Sequence, residues 1–389
     1  KAACARRMCD SCRTVVGLGC LCCCQYKCSL SKTAAALAFI PPSPSTYTVK
    51  SNGNKNRIAY SYKELEEDEH FARASNSSEV FWMARGQNCQ VPVVWLRGSR
   101  DVAEGDSPPL VLLHCHANAT DIGVMMGNYL ELSDFLGVDV VGFEYTGYGD
   151  SQGAMRTSNI FDDVVAAYDF VVSSGVPSSR ILVYGQSIGS APACYLASFK
   201  PVGGLVLHSP IASGLQVIDP KPGGCCQPSC FLCCFDVFRN DWRIGKVRCP
   251  VLIMHGQRDE VVPFCNATKL RDRCKRSENC QTYFNPNAGH NNFVESDRQG
   301  YFREMQSFVS SVRQRSADDG APTERPLQVS MPQLSSPLPD TSSAEMMEVP
   351  AQKANYGPQI GPDDGRYRKL GRDLGQGAIG QSAGTGIVA

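Results

Sequence analysis

Five short apolar runs punctuate the middle of this chain: LVLLHCH (110–116), VDVVGFEY (138–145), ILVYG (181–185), GLVLHS (204–209) and VLIMHG (251–256). Several are continuous in Val, Ile and Leu, the pattern of strands covered on both faces rather than on one. Between them lie helix-period stretches such as residues 159–174, where Ile160, Val164, Val165 and Tyr168 recur at helical spacing. Alternating strand and helix implies an α/β domain: a doubly wound, mostly parallel sheet with helices on both faces. Ahead of them, VFWMAR and VPVVWLRG flank GQNC and read as a hairpin. No repeat of solenoid period is present.

At 42% hydrophobic content, the 389 residues suffice for one sizeable core. Lys plus Arg and Asp plus Glu both total 38, so no basic excess exists to neutralise a phosphate backbone, and no nucleic-acid partner is expected. The longest small apolar stretch, Ala34 to Ile40, is far below the roughly 18 to 20 residues that cross a bilayer, so any membrane contact is peripheral. Cysteine usage is the anomaly. Of twenty cysteines, eight fall between Cys4 and Cys28 and five between Cys225 and Cys234, a clustering unlike a disulfide framework. Three regions follow. Residues 1–45 read as a cysteine-rich, basic anchor and linker, ending in the breaker PPSPS; 46–315 form the single α/β domain with a cysteine-rich insert at 221–235. Residues 316–389, rich in Ser, Pro and Gly with few aromatics, are expected to be a disordered tail.

Gly-x-Ser-x-Gly occurs three times, as GDSQG around Ser151, GQSIG around Ser187 and GQSAG around Ser382. A nucleophile turn requires a strand running into a tight bend and straight out into a helix, with glycines where a side chain would clash. Only Ser187 has both neighbours, RILVY before it and SAPACYLASF after it, with Pro192 in the first helical turn. Ser151 reads as a loop residue, and Ser382 lies in the tail, where nothing would hold it beside a base.

A reactive serine needs a base and a residue to orient it, in the order Ser, Asp or Glu, His for this architecture. Downstream of Ser187 stand His208, His255 and His290. His208 and His255 end strands and read as hydrogen-bonded structural residues, whereas His290 sits on a glycine-preceded loop between a strand and the final helix. Asp259 follows the strand VLIM by one turn, where a carboxylate reaches a neighbouring loop, and Glu260 beside it reads as solvated. Ser187, Asp259 and His290 are the expected catalytic triad. The oxyanion donors are expected to be the N–H of Ile188 and that of Ala117 or Asn118, after the strand LVLLHCH. His114 and His116 lack a nearby third metal ligand, and the chemistry requires no cofactor.

The motifs HAN, YTGYGDSQG, LVYGQSIGSAP, LHSPIASG, VLIMHGQRDEVV and AGHNN together resemble the α/β-hydrolase domain-containing protein 17 family, from about Cys20 to Arg315. That resemblance implies an α/β-hydrolase fold and a membrane-attached serine hydrolase that removes palmitate from proteins, with Ser187 as nucleophile, Asp259 as acid and His290 as base. It implies as substrates S-acylated membrane-associated proteins, and S-acylation of the chain's own leader at Cys20, Cys22, Cys23, Cys24 and Cys28. Departures are Ala117 for the glycine of the family's HGN, Glu144 for the aspartate of its DYSGYG, and the insert GGCCQPSCFLCC.

Adjacent cysteines with basic and small apolar neighbours suit acylation better than zinc. Two or more acyl chains would attach the protein stably to a lipid bilayer at the cytosolic face of plasma or endosomal membranes, as a peripheral, lipid-anchored protein. The insert, with Phe231, Leu232 and Phe235, either dips into the bilayer beside the site, forms a surface loop or knots around a metal. Two other activities stay open: a lipid esterase such as a monoacylglycerol lipase, and a non-catalytic membrane scaffold.

Overall fold

The computed structural model describes residues 38–318 apart from 54, 86–88, 99–108, 219 and 221–235. The leader cysteines Cys20, Cys22, Cys23, Cys24 and Cys28, the cysteine-rich insert, Ser382 and the expected tail from 319 onward lie outside the described residues.

Ten strands form one sheet: β1 (Tyr47–Asn52), β2 (Lys55–Tyr60), β3 (Ser78–Ala84), β4 (Gln90–Leu96), β5 (Val111–Cys115), β6 (Asp139–Phe143), β7 (Ile181–Gln186), β8 (Gly204–His208), β9 (Val251–Gly256) and β10 (Cys280–Asn285). Their spatial order is β1-β2-β3-β4-β6-β5-β7-β8-β9-β10. The first four make an antiparallel meander, β4 pairs antiparallel with β6, and β5 to β10 are mutually parallel. The expected hairpin is β3–β4, registered Phe81 opposite Val93.

Strand alternation splits the apolar runs between two cores. Leu113, Val183, Leu205 and Ile253 face one side, while Leu112, Leu182, Val206 and Leu252 face the other. The first core is closed by α2 (Thr157–Ser173) through Ile160, Val164, Ala167 and Val171, and by α3 (Ser190–Ala197). α1 (Ile122–Leu136) and α5 (Arg298–Asp318) close the second through Met126, Tyr129, Phe308 and Val312; α4 (Cys265–Arg273) packs beside β9. Val165 of the expected helical stripe is only half-buried; Ala167 and Val171 complete the stripe instead. Burial on both faces is what makes the parallel strands read as unbroken apolar runs.

Two boundaries differ from the sequence expectation. Residues 38–45 do not act as a free linker, because Ala38 and Phe39 are buried in the first core. The C-terminal helix continues to Asp318 and buries Ser316, so the domain runs past Arg315.

Topology places the site. The chain leaves β5 toward β6 on one side and returns with β7 on the other, so the loops after β5 and β7 part at their carboxyl ends. Such a reversal opens a crevice where ligands of open α/β sheets bind.

Candidate active site

Ser187 stands on the turn leaving β7, where a single 3-10 turn (Ser187–Gly189) connects the strand to α3. Its φ of +52° is left-handed, a conformation that costs a non-glycine residue about 1–2 kcal/mol and persists only where the surroundings enforce it. The enforcement comes from close packing at the flanking glycines. A Cβ on Gly185 would lie 2.6 Å from the carbonyl oxygen of Gly189, and one on Gly189 would lie 2.2 Å from that of Cys115. The turn is thus pressed against the end of β5, which is why both positions are glycine.

Parallel pairing of β9 and β10 sets Gly256 beside Asn285, so the loops after both strands emerge together. Asp259 comes from the first loop and His290 from the second. His290 Nδ1 is 2.7 Å from Asp259 Oδ2, and His290 Nε2 is 3.0 Å from Ser187 Oγ. The three side chains expected from sequence to converge therefore do so, across 103 residues of chain between serine and histidine. With Nδ1–H donating to the carboxylate, Nε2 is left to accept from the serine hydroxyl. Ser187 is 8% exposed and the His290 side chain 12%, so the pair is nearly dry yet reachable from solvent.

Asp259 is held by four donors. Oδ1 accepts the N–H groups of Val261 at 3.0 Å and Val262 at 2.7 Å; Oδ2 accepts from His290 and from His255 Nε2 at 3.2 Å. Burial pushes the carboxyl pKa up, but hydrogen bonds from His255 and His290 outweigh it and hold the group well below the usual carboxylate range. Asp259 therefore stays ionised against the imidazole. His255, read from sequence as structural, shares its one Nε2–H between Asp259 and the nearer Val262 carbonyl at 2.8 Å, so it braces the aspartate and its turn. The signal was available as His255 and Asp259 four residues apart, but only the turn geometry joins them. Glu260 is exposed, as expected.

The loop after β5 lies against the Ser187 turn, since a Cβ on Gly189 would also lie 2.6 Å from the His116 carbonyl oxygen. Ile188 and Ala117 are the chain neighbours of these packed residues. Ala117, which replaces the glycine of the resembled motif, is not among the residues with positive φ; the left-handed residue of this loop is Ala119, at +54°. Alanine at 117 consequently carries no backbone penalty. Asn118 uses its side chain: Oδ1 accepts from the Ile40 N–H at 2.8 Å and from the Tyr148 hydroxyl at 2.9 Å.

The buried ring of His116 stacks on Tyr145 with centroids 4.0 Å apart, and its Nε2 lies 3.0 Å from Glu144 Oε1. Glu144 also accepts from the Tyr47 hydroxyl at 2.9 Å and the Ile122 N–H at 3.1 Å. Its longer side chain thus spans from the loop to β1 and α1. His114 stacks on Tyr184 at 4.7 Å, and burial drives its pKa well below the ordinary histidine value. Among the described residues no group of three His, Cys, Asp or Glu side chains is placed to hold a metal ion. His208 Nδ1 meets the Tyr184 hydroxyl at 2.7 Å. Ser151 is a turn residue whose Oγ accepts the Gly147 N–H at 2.9 Å and donates to the Tyr145 carbonyl at 2.7 Å.

A cleft of about 630 Å³ lies at the opposite, amino-terminal ends of the strands, lined among others by Lys200, Arg248 and Arg276, and includes none of these residues.

A family model for the alpha/beta hydrolase fold matches residues 108–223. Among curated proteins, the alpha/beta hydrolase domain-containing protein aho-3 of Caenorhabditis elegans is 37% identical over 199 residues, covering 51% of this chain and 57% of that protein. Human alpha/beta hydrolase domain-containing protein 17B is 32% identical over 243 residues, covering 62% of this chain and 78% of that protein. Mouse protein 17C is 31% identical over 243 residues, covering 62% and 71% respectively. The family-model match and these identities agree: the chain belongs to the α/β-hydrolase domain-containing protein 17 family and is, by fold and family, a hydrolase.

Proposed function

We propose that this protein is a serine hydrolase that cleaves the thioester of S-acylated cysteines in membrane-associated proteins, with Ser187 as nucleophile, His290 as base and Asp259 as orienter. The observation that carries the chemistry is the unbroken hydrogen-bonded chain from Ser187 Oγ through both nitrogens of His290 to Asp259, at 3.0 and 2.7 Å. The likeness to membrane-attached depalmitoylases supports the acyl thioester as substrate.

His290 Nε2 takes the Ser187 proton as Oγ attacks the thioester carbonyl. Negative charge collects on the former carbonyl oxygen, received by the N–H of Ile188 and that of Ala117 or Asn118. The carbon–sulfur bond then breaks, and the imidazolium proton passes to the departing thiolate. Because a cysteine thiol ionises near 8.5, the sulfur leaves with less help than an alkoxide would need. Water, deprotonated by His290, attacks the acyl-serine ester; the carbon–Oγ bond breaks, the imidazolium proton returns to Ser187 Oγ, and the fatty acid is released. Every proton and acyl transfer is accounted for by these side chains, a water molecule and the substrate.

Attachment follows from acylation of the leader at Cys20, Cys22, Cys23, Cys24 and Cys28, since two or more chains at about 0.8 kcal/mol per buried CH₂ hold a protein on a bilayer. No helix among the described residues is long and apolar enough to cross a membrane. The leader would lie at the cytosolic face, where the thiols remain available for acylation.

The deciding assay compares an S-palmitoylated peptide with a monoacylglycerol in the same detergent. Faster turnover of the peptide is the expected result. Preference for the monoacylglycerol would make the protein a lipid esterase, and turnover of neither would favour a membrane scaffold.

A further inference from the structure

The segment before β1 runs along the loop after β5, and its contacts concentrate on the residues that shape the oxyanion site. Ile40 donates its N–H to Asn118 Oδ1 at 2.8 Å. Six residues on, Thr46 donates N–H to Asp121 Oδ2 at 2.8 Å and its hydroxyl to the other carboxylate oxygen, while Ser45 Oγ bonds Oδ2 at 3.1 Å. Asp121 in turn caps α1 by accepting the Val124 N–H at 3.2 Å. Both ends of residues 118–121 are therefore held by one extended segment.

Phe39 ties this segment to the same loop from a second direction. Its ring, 4% exposed, sits edge-on to Tyr145 at 6.1 Å, Tyr148 at 6.5 Å and Phe238 at 5.7 Å. Those two tyrosines grip the loop: the Tyr145 hydroxyl donates to the His116 carbonyl at 2.7 Å, and the Tyr148 hydroxyl donates to Asn118 Oδ1 at 2.9 Å. Within the loop, Thr120 Oγ1 donates to the Ala117 carbonyl at 2.9 Å and His116 Nδ1 lies 2.9 Å from the same oxygen, while Ala119 is left-handed. Asn118 and the aromatic box behind it add the contacts that tie this loop to the segment before β1.

We propose that residues 39–46 are a strap that holds the oxyanion loop in position, with Asn118 as the positioning residue through which it acts. The role assigned to the loop rests on the hydrolase reading above. Asn118 touches no reacting atom through its side chain; it receives two donors and so ties the loop to the strap and to Tyr148. Since the strap is continuous with the cysteine-rich leader, the part of the chain expected to attach to lipid ends on the part expected to stabilise the transition state.

The test uses the full chain and the water-soluble ester p-nitrophenyl butyrate, with Asn118→Ala, Asn118→Asp and Phe39→Ala. Misplacing an oxyanion donor by a fraction of an ångström costs about ten- to hundredfold in rate, so Asn118→Ala should lower kcat by that factor with KM changed by less than about threefold. Asn118→Asp keeps an acceptor for both donors but sets a carboxylate beside the developing oxyanion, so it is read by exchange alone; Phe39→Ala should lose roughly tenfold. Amide hydrogen exchange across residues 117–120 should quicken in Asn118→Ala and Phe39→Ala but not in Asn118→Asp. A kcat for Asn118→Ala within about twofold of wild type, exchange unaltered in Asn118→Ala, or exchange as fast in Asn118→Asp as in Asn118→Ala would each overturn the strap. Wild-type protein inert toward every ester and thioester would instead defeat the hydrolase reading, and exchange alone would then decide for or against the strap.

Discussion

Asp259 and His255 are joined by a hydrogen bond, His255 Nε2 lying 3.2 Å from the same carboxylate oxygen that meets His290. The aspartate is therefore shared between two imidazoles, one facing Ser187 and one buried at the end of β9. Their contributions to turnover are separable. Asp259→Asn removes the charge that holds the His290 tautomer and should lower kcat by on the order of 10⁴-fold. His255→Leu leaves three of four donors on Asp259 and should cost roughly tenfold. Steady-state kinetics on p-nitrophenyl butyrate measures both, and comparable losses would contradict a merely bracing role for His255.

Ser151 shares the Gly-x-Ser-x-Gly spacing but binds its own turn through Gly147, Tyr145 and Tyr148. Ser151→Ala leaves those groups without their partner, and the protein should lose about 1–3 kcal/mol of stability. Chemical denaturation reads the loss. Covalent labelling of Ser187 by a serine-directed probe should persist in this variant.

Gly189 tests the pressed contact between the nucleophile turn and β5. A methyl group there would meet the backbone carbonyl oxygens of Cys115 and His116 at 2.2 and 2.6 Å, atoms that cannot swing aside. Gly189→Ala should destabilise the protein by about 2–3 kcal/mol and slow Ser187 labelling by roughly tenfold or more. Unchanged melting and labelling would show that the turn does not depend on that contact.

His208 sets an acid limit on stability. Burial first, then the neighbouring His290 and His255, push its pKa down from 6.5 to about 3. The folded-state value lies below the unfolded one, so its contribution is complete above pH 6.5 and is lost as pH falls toward 3. The loss is on the order of 3–5 kcal/mol across that window. His208→Asn, which retains an oxygen acceptor for the Tyr184 hydroxyl, should flatten the fall in unfolding free energy between pH 6.5 and 4. Parallel slopes in the two proteins would contradict this account.

The sheet and the strand–turn–helix around Ser187 were legible because their signals are local. A strand buried on both faces is a continuous apolar run wherever it lies, and RILVYGQSIGSAPACYL carries strand, turn and helix in consecutive residues. His290 could be chosen by chain order and by its glycine-preceded loop. What stayed hidden depends on distant partners. The prolines and serines of PPSPS look like a linker, yet Ile40, Thr46 and Tyr47 are fixed by Asn118, Asp121 and Glu144, partners 75 to 97 residues away. Ala117 drew attention as a missing glycine, whereas the loop needs its left-handed residue two positions later, at Ala119. His255 looked structural because nothing in VLIMHGQRD shows that the turn folds the carboxylate of Asp259 back onto its ring.

The most direct measurement is covalent capture of the nucleophile by an alkyl fluorophosphonate, followed by mass mapping of the modified peptide. The account predicts one adduct, on Ser187, formed at a rate that falls sharply in His290→Ala and disappears in Ser187→Ala. Absence of an adduct on the folded wild-type protein, or an adduct that persists in Ser187→Ala, would contradict it.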